Sequence, residues 1–351
     1  MLVILVFLGV LTIVGAFFLL HPQFGAVAKG DRLCRIQQSA NFKDERFVNE
    51  TPTTLATSKK GSFLKNILHF LFAVKPEHRI PKVGEIKVLR TDLKNLPKDK
   101  NLYVWFGHSS FLLQLDGTTI LADPVFYKGS PVSFVNSPFE GTDYYKPKHM
   151  PDTIDYLLIS HDHWDHLDYN TAIELRSRVN YVVCPLGVGA DFEHWGYTKE
   201  QIIELDWNET NGWFHCLPTR HFTGRGIWNP KTLPASWLIQ APSFTVFFSG
   251  DGGYSERFER FGKQFNIDLA IMENGQYDER WSQIHTMPNQ LGKAVKQLGS
   301  KHFITVHHSK FCLANHSWYE PRINEQNAAK EYDLNLITCE IGEVVNLELL
   351  R

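Results

Sequence analysis

Residues 157–168 read LLISHDHWDHLD, in which an apolar run passes directly into a dense polar cluster. The apolar residues from Ile154 to Ser160 are typical of a buried strand. Three histidines and three aspartates then fall within the eight residues from His161 to Asp168. Folding alone does not require so many costly polar groups beside a buried strand. The pattern therefore predicts a functional loop at the end of that strand.

The spacing within this loop suits metal binding. His161 and His163 lie two residues apart and can present their imidazoles to one point if the loop is extended. Asp165 and His166 follow the turn and can serve a second point nearby. Neutral imidazole combined with carboxylate, without thiolate, suits zinc, iron or manganese. One loop cannot complete two metal sites, so further ligands are expected at other strand ends.

Three candidate ligands follow other predicted strands. His221 lies in FHCLPTRHFTGRG, Asp251 in TVFFSGDGGY and His307 in HFITVHHSKF. The glycines beside Asp251 permit a close approach of the backbone. A single histidine after a strand is more often structural, but four such loops in one chain, one of them so dense, favour a shared metal site.

The composition narrows the class of protein. The chain has 351 residues, 43% of them hydrophobic, so it can bury a substantial core. Its formal net charge is −2, without the global basic field that nucleic-acid-binding proteins usually carry, so no nucleic-acid partner is expected. The five cysteines are widely spaced and form no C-x-x-C pair, which indicates neither a disulfide framework nor a thiolate zinc site.

The N-terminal segment differs in kind from the rest of the chain. Its first twenty residues, MLVILVFLGVLTIVGAFFLL, contain no charged side chain. A helix of that length spans ~30 Å, which matches the hydrocarbon core of a bilayer. Residues 1–21 are therefore predicted to form a single membrane-spanning anchor.

The charges beside this segment predict its orientation. Lys29, Arg32 and Arg35 follow the apolar run and no basic residue precedes it, which favours a cytoplasmic catalytic domain. A cleaved signal segment is the alternative, because the stretch AVA at 26–28 resembles a cleavage site. In that case the protein would be exported.

The remainder of the chain divides into two parts. Residues 22–80 are polar and irregular and are predicted to form an extension that packs on the body. Their amphipathic stretch at 62–74 could instead lie at a membrane surface. From 81 to 351, short apolar runs, beginning with one at 85–93, alternate with helical patterns such as NTAIELRSR and NQLGKAVKQLG. This alternation predicts one α/β catalytic domain.

In combination, these motifs resemble the metallo-β-lactamase superfamily. The resemblance rests on H-x-H-x-D-H at 161–166, on the later His221, Asp251 and His307, and on the stretch VWFGHSSFLLQLDGTTILADPVF near the start of the domain. Within the superfamily, the chain is most similar to the N-acylphosphatidylethanolamine-hydrolysing phospholipase D (NAPE-PLD) family and its bacterial relatives. That likeness lies in HDHWDHLD, PTRHFTGRG, SGDGGYSERFERFG, YDERWSQIHTMP and HHSKFCLANHSWYEP. The resemblance spans most of the chain from His21 onward.

The resemblance implies an αββα four-layer sandwich with two zinc ions, for which iron or manganese are alternatives. Three histidines would hold the first ion: His161, His163 and His221. One aspartate and two histidines would hold the second ion: Asp165, His166 and His307. Asp251 would bridge the two ions.

Further roles follow from the same resemblance. Asp165 and Asp251 would take part in catalysis through the metals. His285, in QIHTMP, matches a histidine near the family's active site and would contact the phosphate or the leaving group. Asp123 would orient a ligand imidazole, and His108 is either structural or a similar support.

The chain also departs from the phospholipase pattern. Its last ligand motif reads HHSKF, so His308 is an alternative to His307 as the ligand, although the register with Phe311 favours His307. Glu273 and Gln276, in MENGQY, are more polar than a lipid hydrolase would require at this point. Both differences concern the substrate pocket and leave the metal ligands intact.

Two functions are compatible with these residues. The first is a membrane-anchored phosphoric diester hydrolase of the phospholipase D type, which cleaves N-acylphosphatidylethanolamine-like phospholipids with a metal-bridging hydroxide. The second is a metallo-hydrolase of a soluble ester, lactone or phosphodiester, similar to the ascorbate-phosphate lactonases. The anchor favours the first function, and the polar Glu273 and Gln276 favour the second. The resemblance, rather than any residue pattern, suggests a homodimer.

Overall fold

The computed structural model describes residues 15, 17–55, 75–132, 135–225 and 231–350. Most of the expected anchor at 1–21, and the amphipathic stretch at 62–74, lie outside the described residues. Within the part that is described, no helix has the length and apolar character needed to cross a bilayer. The anchor and its orientation therefore stay predictions.

The described chain contains helices and strands that alternate along its length. The α-helices are α1 (Gly30–Gln38), α2 (Tyr169–Leu175), α3 (Gly189–His194), α4 (Arg257–Gln264), α5 (Pro288–Leu298) and α6 (Glu320–Tyr332). The strands are β1 (Phe42–Lys43), β2 (Arg46–Phe47), β3 (Leu102–Trp105), β4 (Phe111–Leu115), β5 (Thr118–Ala122), β6 (Ile154–Leu158), β7 (Val179–Pro185), β8 (Ile202–Leu205), β9 (Thr210–Asn211), β10 (Phe214–Pro218), β11 (Ala235–Gln240), β12 (Thr245–Phe248), β13 (Leu269–Glu273), β14 (His302–Val306) and β15 (Val344–Asn346).

Two mixed sheets form the centre of the domain. The larger sheet has the strand order β15-β3-β4-β5-β6-β7-β8, and the smaller one has the order β14-β13-β12-β11-β10-β9. Strands β5 to β8 run parallel, as do β12 to β14, and the remaining neighbours within the two sheets are antiparallel. Strands β1 and β2 form a separate hairpin.

The side chains of β12 show how the layers are built. Val246 and Phe248 point into the core between the two sheets, and Phe248 lies edge-on to Phe111 of the other sheet at 5.0 Å between ring centroids. Phe247, between them in sequence, points to the opposite face and packs against Phe258 of α4. Successive side chains of a strand alternate between its faces, so each sheet packs on its partner and on helices. The predicted α/β sandwich is confirmed.

The sheet topology brings the predicted ligand loops together. The loop from His161 to His166 follows β6, and the other ligands follow β10, β12 and β14. Strands β10, β12 and β14 run in the same direction, so their carboxyl ends share one edge of the smaller sheet. Asp168 caps α2 by accepting a hydrogen bond from the Asn170 N–H, and this fixes the far end of the loop.

The predicted strand at 85–93 is not formed as such. Only an isolated bridge joins Val88 to Ile341 there. The reason is that side-chain hydroxyl groups bond the backbone groups that a neighbouring strand would need: the Tyr145 hydroxyl donates to Leu89 O and accepts from the Thr91 N–H. The apolar pattern therefore indicates a half-buried segment, whose backbone groups are bonded partly by side chains and partly by the carbonyl of Ile341.

The described part of the N-terminal extension packs on the body near α3. The Ala26 N–H donates to Asp191 Oδ1 at 2.8 Å. Arg32 of α1 forms ion pairs with Glu193 at 2.6 Å and with Glu204 at 2.5 Å. The extension is therefore fixed to the domain by polar contacts as well as by its apolar side chains.

Asp191→Asn tests how this contact depends on pH. Burial raises the pKa of Asp191 from 3.8 to about 7, and the nearby Asp162 acts in the same direction. A carboxyl group whose pKa is raised by folding stabilises the fold below its unfolded pKa and loses that contribution as the pH rises through the folded pKa. We therefore expect the Asn variant to gain stability over the wild-type chain, by a few kcal/mol, between about pH 4 and pH 8. Urea unfolding of both chains at each pH measures this difference, and a constant difference would contradict the shift.

Candidate metal centre

The three histidines predicted for the first ion converge on one point. His161 Nε2 and His163 Nδ1 are 2.9 Å apart, and His221 Nε2 lies 3.2 Å from the same His163 nitrogen. His161 and His221 are buried, and His163 is partly exposed. We call these residues the histidine trio. Three nitrogen atoms at these separations can face a single ion.

The residues predicted for the second ion also meet. Asp165 Oδ2 lies 3.7 Å from His166 Nε2 and 3.4 Å from His307 Nε2. His108 Nε2 lies 2.9 Å from the same carboxylate oxygen, and its ring is fully buried. Asp165, His166 and His307 form the second group of donors, and His108 supports Asp165 at its edge.

Asp251 lies between the two groups. Its Oδ2 is 3.2 Å from His166 Nε2 and 3.1 Å from His307 Nε2. The same oxygen lies 4.0 Å from His161 Nε2 and 3.9 Å from His221 Nε2. One carboxylate oxygen thus faces both groups, which is the arrangement expected of a bridging ligand.

Partners outside the cluster turn the imidazoles toward it. His166 Nδ1 is 2.7 Å from the buried Asp123 carboxylate, which the sequence had placed beside a ligand imidazole. His221 Nδ1 donates to Ile284 O at 2.8 Å. Because one ring nitrogen is bonded on the outside, the Nε2 atom of each of these rings is directed to the centre.

The last ligand loop distinguishes between its two histidines. His307 Nδ1 bonds Gly275 O at 3.2 Å and its Nε2 faces Asp251. His308 points away, because its two ring nitrogens lie 2.7 Å from Ser309 Oγ and 3.1 Å from Thr305 Oγ1. The geometry therefore places His307 in the cluster.

The cluster fits a divalent metal on two grounds. The buried atoms His166 Nε2, His307 Nε2 and Asp251 Oδ1 have no hydrogen-bond partner in the described part of the chain. Buried polar atoms are costly to leave unpaired, and a cation would give each of them a partner. The donors are imidazole nitrogen and carboxylate oxygen without sulfur, a set suited to zinc, iron or manganese.

The electrostatics point the same way. Burial opposes ionisation of Asp251, but His166 and His307 hold its pKa well below the usual range. In turn, burial disfavours protonation of His307, yet Asp251 and Asp165 raise its pKa to about 10. Positive charge beside these buried carboxylates is therefore stabilising, and metal ions would supply it at the same atoms.

His285 lies beside the cluster. Its ring is nearly parallel to that of His307, at 13° and 5.3 Å between centroids, and its Nδ1 is 3.0 Å from Glu273 Oε2. Glu273 is buried and also accepts hydrogen bonds from the N–H groups of Gly252 and Thr286. Sequence reasoning missed this supporting role, although Glu273 ends β13 beside the strand that carries Asp251.

The polar side chains that favoured a soluble substrate are bonded within the protein. Gln276 Nε2 donates to His307 O and Phe311 O, and its Oε1 accepts from the N–H groups of Leu313 and Ala314. Glu273 is 1% exposed and fixes His285. Their polar atoms therefore hold loops in place, and Gln276 also lines the cavity above the metal residues.

A cavity of about 330 Å³ opens above the metal residues. Its remaining walls are largely apolar: Leu55, Phe222, Trp281, Ile284 and Leu313. An adjoining groove of about 490 Å³ shares three wall residues with it, Leu55, His221 and Phe222. A larger cavity of about 710 Å³ beside α1 is lined mainly by charged residues and by none of the cluster, so we place the chemistry in the smaller one.

Comparison with known proteins assigns the family. A family model described as a β-lactamase superfamily domain matches residues 118–308, more than half of the chain and all of the proposed ligands. The chain belongs to the metallo-β-lactamase superfamily. An uncharacterized protein of Mycobacterium tuberculosis is 35% identical over 306 residues, which cover 81% of this chain and 78% of the relative. Its family makes this chain a metal-dependent hydrolase.

A more distant relative carries a specific name. The N-acyl-phosphatidylethanolamine-hydrolyzing phospholipase D 1 of Caenorhabditis elegans is 28% identical over 269 residues. The alignment covers 68% of this chain and 74% of the worm protein. The predicted resemblance to this family is confirmed.

Solved structures agree on the fold. The diiron β-hydroxylase CmlA of Streptomyces venezuelae has a TM-score of 0.54 and 18% identity, over 71% of this chain and 54% of that chain. Igni18, a metallo hydrolase of Ignicoccus hospitalis, has a TM-score of 0.52 and 19% identity, over 70% of this chain and 97% of that chain. At such identities the likeness concerns the fold alone.

Asp251→Asn tests the bridging position. The substitution removes the negative charge that faces both groups, so we expect it to lower the metal content below two ions per chain. Zinc at a hundredfold excess over its Kd should stabilise the wild-type chain by about 2.7 kcal/mol and so raise its melting temperature. The melting temperature of the variant should rise much less. Asp152→Asn is the matched control, because the Asp152 side chain is 78% exposed. Equal metal content in all three chains would refute the assignment.

Proposed function

We propose that this protein is a zinc-dependent phosphodiesterase that cleaves N-acylphosphatidylethanolamine-like phospholipids in the manner of a phospholipase D. One observation carries the proposal: two groups of potential metal donors, with Asp251 between them, lie at a cavity with largely apolar walls. The donors suit a charged phosphate, and the walls suit the hydrocarbon attached to it. The name of the worm relative supports this choice of substrate.

The chain's own residues divide the work of binding. The histidine trio would hold one zinc, the group around Asp165 would hold the other, and Asp251 would contact both. Bound there, the ions would lower the pKa of a water nucleophile towards neutrality and stabilise the negative charge that develops on the phosphate. Asp123, His108 and the carbonyl of Ile284 keep the donors aligned before substrate arrives.

His285 is placed to contact the substrate. It lines the cavity, and Glu273 binds its Nδ1, which leaves Nε2 as the ring nitrogen available to a phosphate oxygen or a leaving group. His285 Nδ1 lies 3.9 Å from Asp251 Oδ2, so a substrate held at the metals is within reach of this ring. Its proposed role is to orient the phosphate and to hold a proton for the departing oxygen.

The adjoining groove offers room for an acyl chain. Its apolar lining comes mainly from the N-terminal extension and from the loops near His221: Phe47, Val48, Pro52, Leu55, Trp207, Phe222 and Pro234. Transfer of each methylene from water to such a surface contributes ~0.8 kcal/mol. A long-chain substrate would therefore gain binding energy that a short soluble diester does not.

The surface near the predicted anchor is suited to a membrane. Phe17 and Leu20 are 75% and 79% exposed at the start of the described chain. Phe18 packs edge-on against Phe24, which packs against Trp164 of the ligand loop, each at 5.2 Å between ring centroids. A single-span anchor ending here would bring the metal cluster close to the bilayer that holds the substrate, with the catalytic domain on the cytoplasmic side.

Three experiments separate the proposal from its alternatives. Iron or manganese would suit the same donors as zinc, and elemental analysis separates the three metals. Export after signal cleavage is the alternative to the anchor, and the N-terminal sequence of the mature protein decides between them. Hydrolysis of a soluble ester, lactone or phosphodiester is the alternative activity. Homodimer formation stays a prediction from the family resemblance.

The lipid-product assay tests the proposed function. Purified, zinc-loaded protein should release phosphatidic acid and N-acylethanolamine from N-acylphosphatidylethanolamine in mixed micelles, and Asp251→Asn should lose this activity. Hydrolysis of bis(p-nitrophenyl) phosphate without turnover of the lipid would favour the soluble alternative. Turnover of neither compound would overturn the assignment as a phosphodiesterase.

His285→Ala tests the residue beside the cluster. Loss of a group that transfers or holds a proton in the transition state typically lowers kcat by a factor of about 10² to 10⁴. We expect that loss with two ions still bound, because His285 lies outside the proposed ligand set. Steady-state kinetics with metal analysis measures both quantities, and an unchanged kcat would assign His285 a structural role.

A further inference from the structure

His221 holds a distinct position in the histidine trio. His161 and His163 belong to one short loop, fixed by β6 before it and by the capped helix α2 after it. His221 lies in the stretch 219–225, which forms no regular secondary structure after β10 ends at Pro218. Contacts on either side hold this stretch, since the Gly253 N–H donates to Arg220 O and the Gly224 N–H donates to Asp162 Oδ1, and the backbone groups of His221 itself need a further partner.

One side chain from the N-terminal extension bonds both sides of that residue. Asn49 Oδ1 accepts a hydrogen bond from the His221 N–H at 3.1 Å, and Asn49 Nδ2 donates to His221 O at 3.0 Å. An amide side chain has one acceptor and its donors side by side. It can therefore bond the N–H and the C=O of one residue, as a residue of a neighbouring antiparallel strand would. Both backbone groups of the ligand are thereby satisfied, within the described part of the chain, by a residue 172 positions away.

The neighbouring residues extend this contact into a strap. We define the N-terminal strap as residues 49–54. The strap meets Arg220, whose Nε donates to Thr53 Oγ1 at 3.1 Å. Gln283 Oε1 joins the two segments, because it accepts from the Thr54 N–H at 2.8 Å and from Arg220 Nη2 at 3.0 Å. The strap therefore bonds the ligand loop at Arg220 and at both backbone groups of His221.

The ring of His221 depends on the position of its backbone. Its Nδ1 bonds Ile284 O, which leaves Nε2 facing His163 at 3.2 Å. A ligand atom must lie within about 0.5 Å of its productive position to keep full affinity. The two hydrogen bonds from Asn49 to the His221 backbone, together with the Ile284 carbonyl, therefore set where Nε2 lies.

We propose that Asn49 is a positioning residue for His221 and that the N-terminal strap sets the metal affinity of the histidine trio. The superfamily match covers residues 118–308, so Asn49 lies outside the part of the chain that the family model describes. The extension thus completes the metal centre, in addition to packing on the body. This inference concerns metal binding and holds whether or not a phospholipid is the substrate.

Metal titration of the full chain tests the proposal. Metal-free Asn49→Ala is titrated with zinc against a competing chromophoric chelator, beside the wild-type chain. Loss of a residue that orients a ligand typically weakens metal affinity 10- to 100-fold. We expect that loss at one of two binding events, with the other unchanged, because the second group of donors makes no contact with Asn49. Asn180→Ala is the matched control, since Asn180 is an exposed residue of β7 whose amide bonds Asp155 away from the cluster.

The remaining outcomes each decide the question. The proposal would be overturned if the zinc-binding curves of Asn49→Ala and the wild-type chain coincided. It would also be overturned if the zinc affinities of both binding events fell equally in a folded variant. If circular dichroism shows that Asn49→Ala does not fold, Asn49→Asp replaces it, because it keeps the size and the acceptor but loses the donor to His221 O. Selective weakening in that variant supports the proposal. Failure of both variants to fold would make Asn49 a determinant of the fold and would overturn the assigned role.

Discussion

The charge of Asp251 is the constraint on which the centre depends. A carboxylate with almost no exposure is costly to bury unless positive charge lies next to it, and here one of its oxygens has five imidazoles within 4.0 Å. The surrounding fold maintains that arrangement: Asp123 and backbone carbonyls hold the rings, and the two sheets hold the loops. This placement, more than any single motif, supports the prediction that Asp251 bridges two metal ions.

The sequence predicted the cluster well because its signals are local. The spacing of H-x-H-x-D-H directly after a buried run predicts that four polar side chains can face two nearby points, and the structure brings these side chains close together. His221, Asp251 and His307 were identifiable because each follows an apolar strand, and strands that run in one direction deliver their ends to one edge of a sheet. The layered α/β fold followed from the same alternation of strands and helices.

The supports of the cluster could not be predicted in the same way. Asn49 and His221 are 172 residues apart, and nothing in either segment specifies that they meet. The sequence predicts Glu273 to be a pocket residue, whereas the structure buries it against His285. That burial depends on how β13 and the loop of His285 pack, which the sequence does not specify. The strand expected at 85–93 failed for a related reason, since hydroxyl groups of Tyr145 and Thr91 replaced a strand partner. Long-range polar contacts of this kind leave no periodic pattern in a sequence.

The most direct test of the account is a crystal structure of the zinc-soaked full chain with anomalous data at the zinc edge. The account predicts two peaks, one between His161, His163 and His221 and the other between Asp165, His166 and His307, with Asp251 in contact with both. A single peak, or a peak between Glu273 and His285 in place of either one, would contradict the central claim that Asp251 bridges two metal ions.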